Sequence, residues 1–230
     1  DGAYAEFVVV PAAHVHEVET DLDWVQLAAV PEVFHTAWGT LFSALEVAAG
    51  QSLLIRGGSS SVGLVAANLA KERGVTVIST TREPRKAGLL ARFGVDHVVI
   101  ETGKIAASVQ QFVPDGVDTM LDLVGTSVIN DSFECVRRGG VLCMAGLLGG
   151  EWEIANFSPG SSIPSTTKFT YFSSSSTPLS TEALRDYLTG LKNGKYRLPL
   201  DRVFEFEEIF EAHSYMESNK AAGKIVIKVA

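Results

Sequence analysis

The sequence has few cysteines, no long apolar run and no excess of positive charge, and each of these absences excludes a class of protein. Only Cys135 and Cys143 occur in 230 residues, so the chain has no disulfide framework, and we expect two buried core thiols in a reducing cytoplasm. No stretch approaches the ~18 apolar residues of a membrane span, and the start lacks the pattern of a signal peptide. A net charge of −8 disfavours nonspecific nucleic-acid binding, which needs an excess of Lys and Arg.

The remaining composition is that of a globular protein, with 46% hydrophobic and 20% charged residues. A chain of this length can bury one large core or two small ones. The first residue is Asp1 rather than Met, and we expect the chain to be part of a longer protein.

Short apolar runs alternate with helical patterns from Ser52 onward, which predicts a doubly wound α/β fold with a parallel sheet covered on both faces. The predicted strands cover residues 52–56, 75–80, 97–100, 117–123, 140–145, 167–173 and 224–229. The predicted helices cover residues 62–73, 84–93, about 104–112, 126–136, 182–193 and 207–218. We place Gly94 at a helix C-cap.

Three segments lie outside this alternation. Residues 1–20 are predicted to be extended chain that ends another unit, which leaves 21–230 as the Rossmann-type domain with its C-terminal closing elements. Residues 149–166 are rich in Gly, Ser and Pro and predict a loop. The serine run at 173–176 predicts a solvated turn.

The main chemical signal is a small-residue loop, GGSSSVG, that follows the first strand and opens a helix at residues 57–63. Small residues let the backbone approach a pyrophosphate, and a helix N-terminus offers free N–H groups and a positive dipole end. Ser60 occupies the middle glycine position of the dinucleotide fingerprint, so a tight turn of any α/β protein remains an alternative. Gly63 permits close packing of helix on strand.

The end of the second strand favours NADPH over NADH. An NAD site usually places an acidic residue there for the ribose 2′-OH, whereas this chain has Thr81 followed by Arg82. Arg82 can hold a phosphate with a bidentate contact, and Lys86 can add a second charge. The alternative is that both are solvated cations at a helix start.

Four segments resemble the medium-chain dehydrogenase/reductase superfamily, and its zinc-independent quinone reductase branch in particular. They are PEVFHTAWGTL (31–41), RGGSSSVGLVAANLAK (56–71), LDLVG (121–125) and GKIVIKV (223–229). The resemblance covers essentially the whole chain, in family order and spacing. It implies that residues 1–20 are the end of a GroES-like catalytic domain, most of which is absent here.

The resemblance also implies which residues contact NADPH. Thr36 would lie near the nicotinamide ribose. The pyrophosphate would contact Gly58, Ser59, Ser60, Ser61, Val62 and Gly63, and the adenosine phosphate would lie at Thr81, Arg82 and Lys86. The nicotinamide side would be formed by Val124, Gly125, Ala145, Gly146 and Leu147, with Phe172 and Ser173 beside it.

No zinc site is expected. Zinc-dependent relatives carry a cysteine ligand four residues before the threonine that matches Thr36, and this chain has Glu32 there. Catalytic zinc normally needs three protein ligands, and the five histidines form no recognisable cluster. His35 could donate a proton near neutral pH, but we favour a structural histidine, and we assign no catalytic residue.

The function implied is hydride transfer from NADPH to a quinone or a conjugated carbonyl (enone or enoyl) acceptor, without zinc. The alternative is a non-catalytic dinucleotide-binding sensor or structural module. We also expect a homodimer through strand 168–172, because an exposed edge strand can pair with another chain and the resemblance implies the same. Proline at Thr170 is expected to block that pairing.

Overall fold

The computed structural model describes residues 3–154 and 157–229. Its main sheet has six parallel strands in the order β3-β2-β1-β4-β5-β6. The strands are β1 (Ser52–Arg56), β2 (Thr76–Thr81), β3 (His97–Ile100), β4 (Val117–Asp122), β5 (Val136–Met144) and β6 (Lys168–Tyr171). This is the doubly wound order in which the chain reverses direction between β1 and β4, and it confirms the predicted fold class.

Four of the six predicted helices are shorter than the sequence predicted, and the two longest have the predicted length. They are α1 (Trp24–Ala28), α2 (Pro31–Gly39), α3 (Ser61–Glu72), α4 (Ala87–Arg92), α5 (Ala106–Val109), α6 (Ile129–Glu134), α7 (Pro159–Ser162), α8 (Thr181–Lys192) and α9 (Ile209–Glu217). Single 3₁₀ turns precede α4, α6 and α9, at Pro84–Lys86, Thr126–Val128 and Phe206–Glu208, and another lies at Ala12–His14. A π-helical turn at Thr40–Ala44 extends α2.

Alternate residues of the central strand β1 face two separate hydrophobic clusters. Leu53 and Ile55 pack among the side chains of α2, α3 and α8, while Leu54 packs among those of α5 and α6. Because both faces of the sheet are covered by helices, its strands carry continuous apolar runs, which is why the sequence revealed them. Cys135 and Cys143 are buried free thiols, as expected. Burial raises the pKa of each to about 12.

Several boundaries differ from the predictions. The helix expected at about 104–112 is the single turn α5, whose first amides are capped by the Asp131 carboxylate (3.0–3.4 Å). The helix expected to run to Val136 ends at Glu134, and β5 begins directly after it and bends at Gly139 (φ +77°). The loop at 149–166 contains α7.

The C-terminal strand β8 (Lys224–Lys228) pairs with β7 (Leu200–Glu205), which the sequence did not predict, in a separate parallel sheet. The sequence of β7, LDRVFE, has neither a continuous apolar run nor a strict alternation of apolar and polar residues, so it lacks the pattern that predicts a strand. Among the described residues, no helix is long and apolar enough to cross a membrane.

Strand β6 forms one edge of the main sheet, but Thr170 is not the residue whose N–H faces outward. The N–H of Phe172 donates to the carbonyl of Met144 in β5 (3.0 Å). Residues two apart face the same side of a strand, so the N–H of Thr170 also faces β5. The N–H of Tyr171 faces the open edge, and its side chain is exposed. Proline at Thr170 would therefore disrupt the pairing of β6 with β5, so this variant does not test the open edge by itself, and the predicted dimer stays a prediction.

Candidate functional site

The loop after β1 is held by its own hydrogen bonds. Gly57 adopts a left-handed conformation (φ +84°) that turns the chain away from the strand. Ser60 caps α3, because its hydroxyl accepts from the N–H of Gly63 (3.2 Å) and donates to the carbonyl of Gly57 (2.8 Å). The serine at the middle glycine position therefore stabilises the loop.

Two glycines in this loop lie where no side chain fits. A Cβ on Gly58 would lie 1.6 Å from the hydroxyl oxygen of Ser79, and a Cβ on Gly63 would lie 2.6 Å from the Cα of Gly58. The start of α3 therefore packs directly on the loop backbone. The amides of Ser61 and Val62, in the first helical turn, have no acceptor within the helix and remain available to an anion.

A cavity of about 410 Å³ opens beside this loop, at the carboxyl ends of the strands. It brings together residues that are far apart in sequence, including the following expected site residues: Thr36, Ser60, Ser61, Val62, Ala145, Gly146, Leu147, Phe172 and Ser173. Leu123, Leu148, Tyr171 and Ser174 also line it and were not anticipated. Open α/β sheets bind ligands in this position, outside the carboxyl ends at the reversal of strand order.

The turn after β4 forms part of the same edge and is fixed by a buried carboxylate. Asp122 is fully buried, and its Oδ1 accepts from the N–H groups of Val124 and Gly125 at 2.8 Å each. Gly125 has φ +97°, and a Cβ there would lie 2.9 Å from the carbonyl oxygen of Gly146. The two expected segments, 124–125 and 145–147, therefore pack against each other.

The two expected phosphate-binding cations lie at the end of β2, where they also contact the C-terminal segment. Arg82 donates through Nη2 to Oδ1 of Asn219 (2.5 Å). Lys86 donates to the carbonyls of Asn219 (3.0 Å) and Ala221 (2.6 Å). Burial lowers the pKa of Lys86, with Glu83 opposing that shift. No local sequence pattern indicates these contacts.

Ser59 and Thr81 connect the end of β2 to the loop after β1. Their hydroxyl oxygens lie 3.4 Å apart, and the N–H of Glu83 donates to Thr81 (3.1 Å).

Glu32 and His35 lie on α2, beside Thr36, and differ in their surroundings. Glu32 lines the cavity and forms an ion pair with Lys224 of β8 (2.7 Å). His35 contacts the Phe172 ring edge-on at 6.1 Å between centroids. Burial lowers the pKa of His35, although hydrogen bonding to the backbone of residues 177–178 acts in the opposite direction. The Nε2 atom of His35 has no hydrogen-bond partner within the described part of the chain. Residues 3–154 and 157–229 contain no group of three His, Cys, Asp or Glu side chains that could hold a metal.

A buried charge cluster at the end of β1 was not predicted from the sequence. Arg56, the last residue of β1, is fully buried, and its Nε and Nη2 donate to both carboxylate oxygens of Glu101 (2.9 and 2.8 Å). Its Nη1 donates to Ser132 and lies 2.8 Å from Oδ2 of Asp131. The available signal was an arginine at the end of an otherwise apolar strand, since a buried arginine requires acceptors.

A second cavity, of about 490 Å³, lies away from this edge. It is lined by α2, the C-terminal half of α3 and α8, with several aromatic walls, among them Trp38 and Tyr187. Because α3 runs back from the carboxyl edge, this cavity lies toward the opposite edge of the sheet. None of the expected site residues lines it, so the smaller cavity is the better candidate.

Comparison with known proteins places the chain among oxidoreductases. A family model described as zinc-binding dehydrogenase matches residues 93–227. The chain is 28% identical to a quinone oxidoreductase of Pseudomonas aeruginosa over 98% of this chain and 71% of that protein. It is 27% identical to a 2-methylene-furan-3-one reductase of Solanum lycopersicum over 98% of this chain and 52% of that protein. The solved structure of AibC superimposes with a TM-score of 0.85 at 27% identity, over 98% of this chain and 62% of that one.

Proposed function

The chain belongs to the zinc-binding dehydrogenase family, within the medium-chain dehydrogenase/reductase superfamily, and on that premise we propose that it is the cofactor-binding part of an NADPH-dependent reductase. The acceptor is a quinone or a conjugated carbonyl compound, and the reaction proceeds without zinc. The observation that carries the proposal is the glycine loop, in which backbone packs on backbone beside a cavity at the reversal of strand order.

The residues present fit a dinucleotide. The space beside Gly58 and Gly63 is too small for any side chain of their own, and the first amides of α3 are available to bind an anion. Ser60, Ser61 and Val62 would hold the pyrophosphate. Thr36 and residues 145–147 would hold the nicotinamide end, with Phe172 and Ser173 beside it. The bound cofactor supplies a hydride, and these side chains orient it and exclude water.

The preference for NADPH rests on the polar and cationic end of β2. Thr81 and Arg82 provide no carboxylate that would repel a 2′-phosphate. Arg82 uses Nη2 for Asn219, and among the described residues its Nε and Nη1 have no partner. These two nitrogens can donate to a phosphate.

The zinc-free proposal rests on Glu32 and its partner. The residue at the position of the expected cysteine ligand is a carboxylate that is already paired with Lys224. A zinc ion bound there would have to displace this ammonium group and to find further ligands, which the described residues do not supply. The family description therefore does not fit this chain's own side chains.

The acceptor class is proposed from the two relatives, because one is a quinone oxidoreductase and the other reduces an enone. In both acceptor classes a carbonyl makes the far end of a conjugated system electrophilic toward hydride. The apolar lining of the cavity by Leu123, Leu147 and Leu148 suits an uncharged, planar acceptor.

We further propose a homodimer through the open edge of β6. The strand has one free side, and Tyr171 directs its N–H toward it. Two copies of such an edge can form one continuous sheet around a two-fold axis.

The deciding experiment is an acceptor screen on the whole protein. NADPH oxidation should be followed by the absorbance of the reduced cofactor with quinones, enones and enoyl thioesters. We expect turnover with at least one class, and a Gly63→Ala variant should lose it because the loop can no longer pack on α3. Tight NADPH binding without turnover in all three classes would favour a non-catalytic module instead.

A further inference from the structure

Three buried side chains connect the two loops that border the candidate cofactor site. Nη1 of Arg56 donates to the hydroxyl of Ser132 (2.8 Å), and that hydroxyl donates to Oδ2 of Asp122 (2.6 Å). Oδ1 of Asp122 then accepts from the N–H groups of Val124 and Gly125. We call this the Arg56–Ser132–Asp122 relay. It joins the end of β1 to the turn after β4 through α6.

The chemistry of the groups fixes the direction of every hydrogen bond in the relay. A guanidinium only donates, so Ser132 must accept from Arg56 and must give its one proton to Asp122. The two backbone amides also only donate. Asp122 is therefore surrounded by donors. Burial raises the pKa of Asp122 overall, although the Ser132 hydroxyl, the amides of residues 124–125 and the charge of Arg56 act in the opposite direction.

Other charged groups lock the guanidinium in place. Glu101, after β3, takes Nε and Nη2, and Asp131, on α6, lies against Nη1. The Cys135 thiol nearby is neutral because burial raises its pKa to about 12. With its donors held on both sides, Arg56 cannot rotate to replace a lost contact with Ser132. Removing the hydroxyl of Ser132 would therefore break the relay without a replacement contact from Arg56.

We propose that Ser132 is a positioning residue for the dinucleotide, because the relay sets the separation of the two loops that border the cofactor. Arg56 directly precedes Gly57, the first residue of the glycine loop. At the other end, Gly125 packs against the carbonyl of Gly146, which lines the cavity. This inference rests on the proposed cofactor site, although Ser132 touches no part of it.

The test is Ser132→Ala in the whole protein, with two readouts. NADPH titration should give a dissociation constant about fivefold to tenfold higher than in the wild type, since the lost hydrogen bond is to a charged group and part of its strength reaches the loops. Amide hydrogen exchange should become faster at Val124 and Gly125 and stay unchanged at Leu54, in the middle of β1.

The chain offers a matched control at the other end of the same two strands. Ser52 in β1 donates to Oδ2 of Asp118 in β4 (2.8 Å), and Asp118 also binds Arg137 (2.7 Å). Ser52→Ala removes a comparable serine–aspartate hydrogen bond far from the carboxyl edge. We expect its NADPH dissociation constant to stay within about twofold of the wild type.

The outcomes separate this inference from the proposed function. If Ser132→Ala binds NADPH as the wild type does, or if Ser52→Ala loses as much affinity, the positioning role is wrong. If the wild type itself does not bind NADPH, the cofactor proposal fails, and unchanged exchange at residues 124–125 in Ser132→Ala would then refute the relay separately. Should Ser132→Ala not fold, Ser132→Cys keeps the volume with a weaker donor. The same rise in dissociation constant is expected, and wild-type binding would refute the role.

Discussion

The choice between NADPH and NADH can be tested at Arg82. Its side chain is exposed and donates through one nitrogen to Asn219 (2.5 Å). A bidentate contact from the remaining nitrogens to a 2′-phosphate would contribute about 1.5–3 kcal/mol. Solvent screening at an exposed site favours the lower end of this range. We therefore expect Arg82→Ala to reduce the preference for NADPH over NADH about tenfold.

The assay is a titration of both cofactors into the wild type and two variants. Arg85→Ala is the matched control, because Arg85 lies three residues away with its side chain 66% exposed and paired to Glu83 (3.1 Å). The affinity for NADH should be the same in all three proteins, and the affinity for NADPH should fall only in Arg82→Ala. Higher ionic strength should weaken the wild-type preference and have little effect on Arg82→Ala.

Three results would refute this reasoning. A wild type that binds NADH more tightly would show that the cationic end of β2 does not select the cofactor. An Arg82→Ala variant with the full preference would show that the phosphate, if bound, lies elsewhere. Equal losses in Arg82→Ala and Arg85→Ala would indicate a general electrostatic effect and no specific contact.

Four further predictions concern stability, metal and assembly. Gly58→Ala, whose methyl would meet the hydroxyl of Ser79 at 1.6 Å, should lower the free energy of unfolding by about 1–3 kcal/mol in denaturant titrations, and adding Ser79→Gly should restore much of it. Elemental analysis of the whole protein should find no stoichiometric zinc, and a chelator should leave activity intact; about one zinc per chain would overturn the argument. Tyr171→Pro should convert a dimer to a monomer by light scattering, and a monomeric wild type would exclude the β6 interface. Burial raises the pKa of Glu101, but the contacts with Arg56 outweigh this effect and lower the pKa overall. The contribution of Glu101 to stability should therefore be present near neutral pH and be lost as the pH falls below about 4.3. Glu101→Gln should be about 3 kcal/mol less stable than the wild type near pH 7 and should lose less stability on acidification.

The sequence was sufficient for the elements whose cause is local. Apolar runs identified the first five strands of the main sheet, β-favouring and aromatic residues identified β6, and the small residues at 57–63 identified the loop after β1. Gly94 adopts φ +91° after α4, as its predicted C-cap position requires. These features depend on residues that are adjacent or one helical turn apart.

Features that depend on long-range pairing were missed. Arg82 meets Asn219 across 137 residues of sequence, and no local pattern encodes that contact. The direction of the Thr170 N–H depends on the register of β6 against β5, so the expected edge residue was wrong by one position. Strand β7 is stabilised by pairing with β8 and carries too little apolar sequence to be recognised alone.

The position of Phe172 gives the edge strand an entropic role. A Cβ on Gly39 would lie 2.1 Å from the tip of the Phe172 ring, so the tip of this ring contacts the bare backbone of α2, and Phe172 also lines the cavity. Tyr171, the preceding residue, belongs to the open edge. If a second subunit pairs with that edge, the backbone of residue 171 loses its freedom before any cofactor arrives, and the ring of the next residue is ordered with it. Dimerisation would then order residues that cofactor binding would otherwise have to order, so the loss of conformational entropy on cofactor binding would be smaller. The affinity for the cofactor would therefore depend on protein concentration.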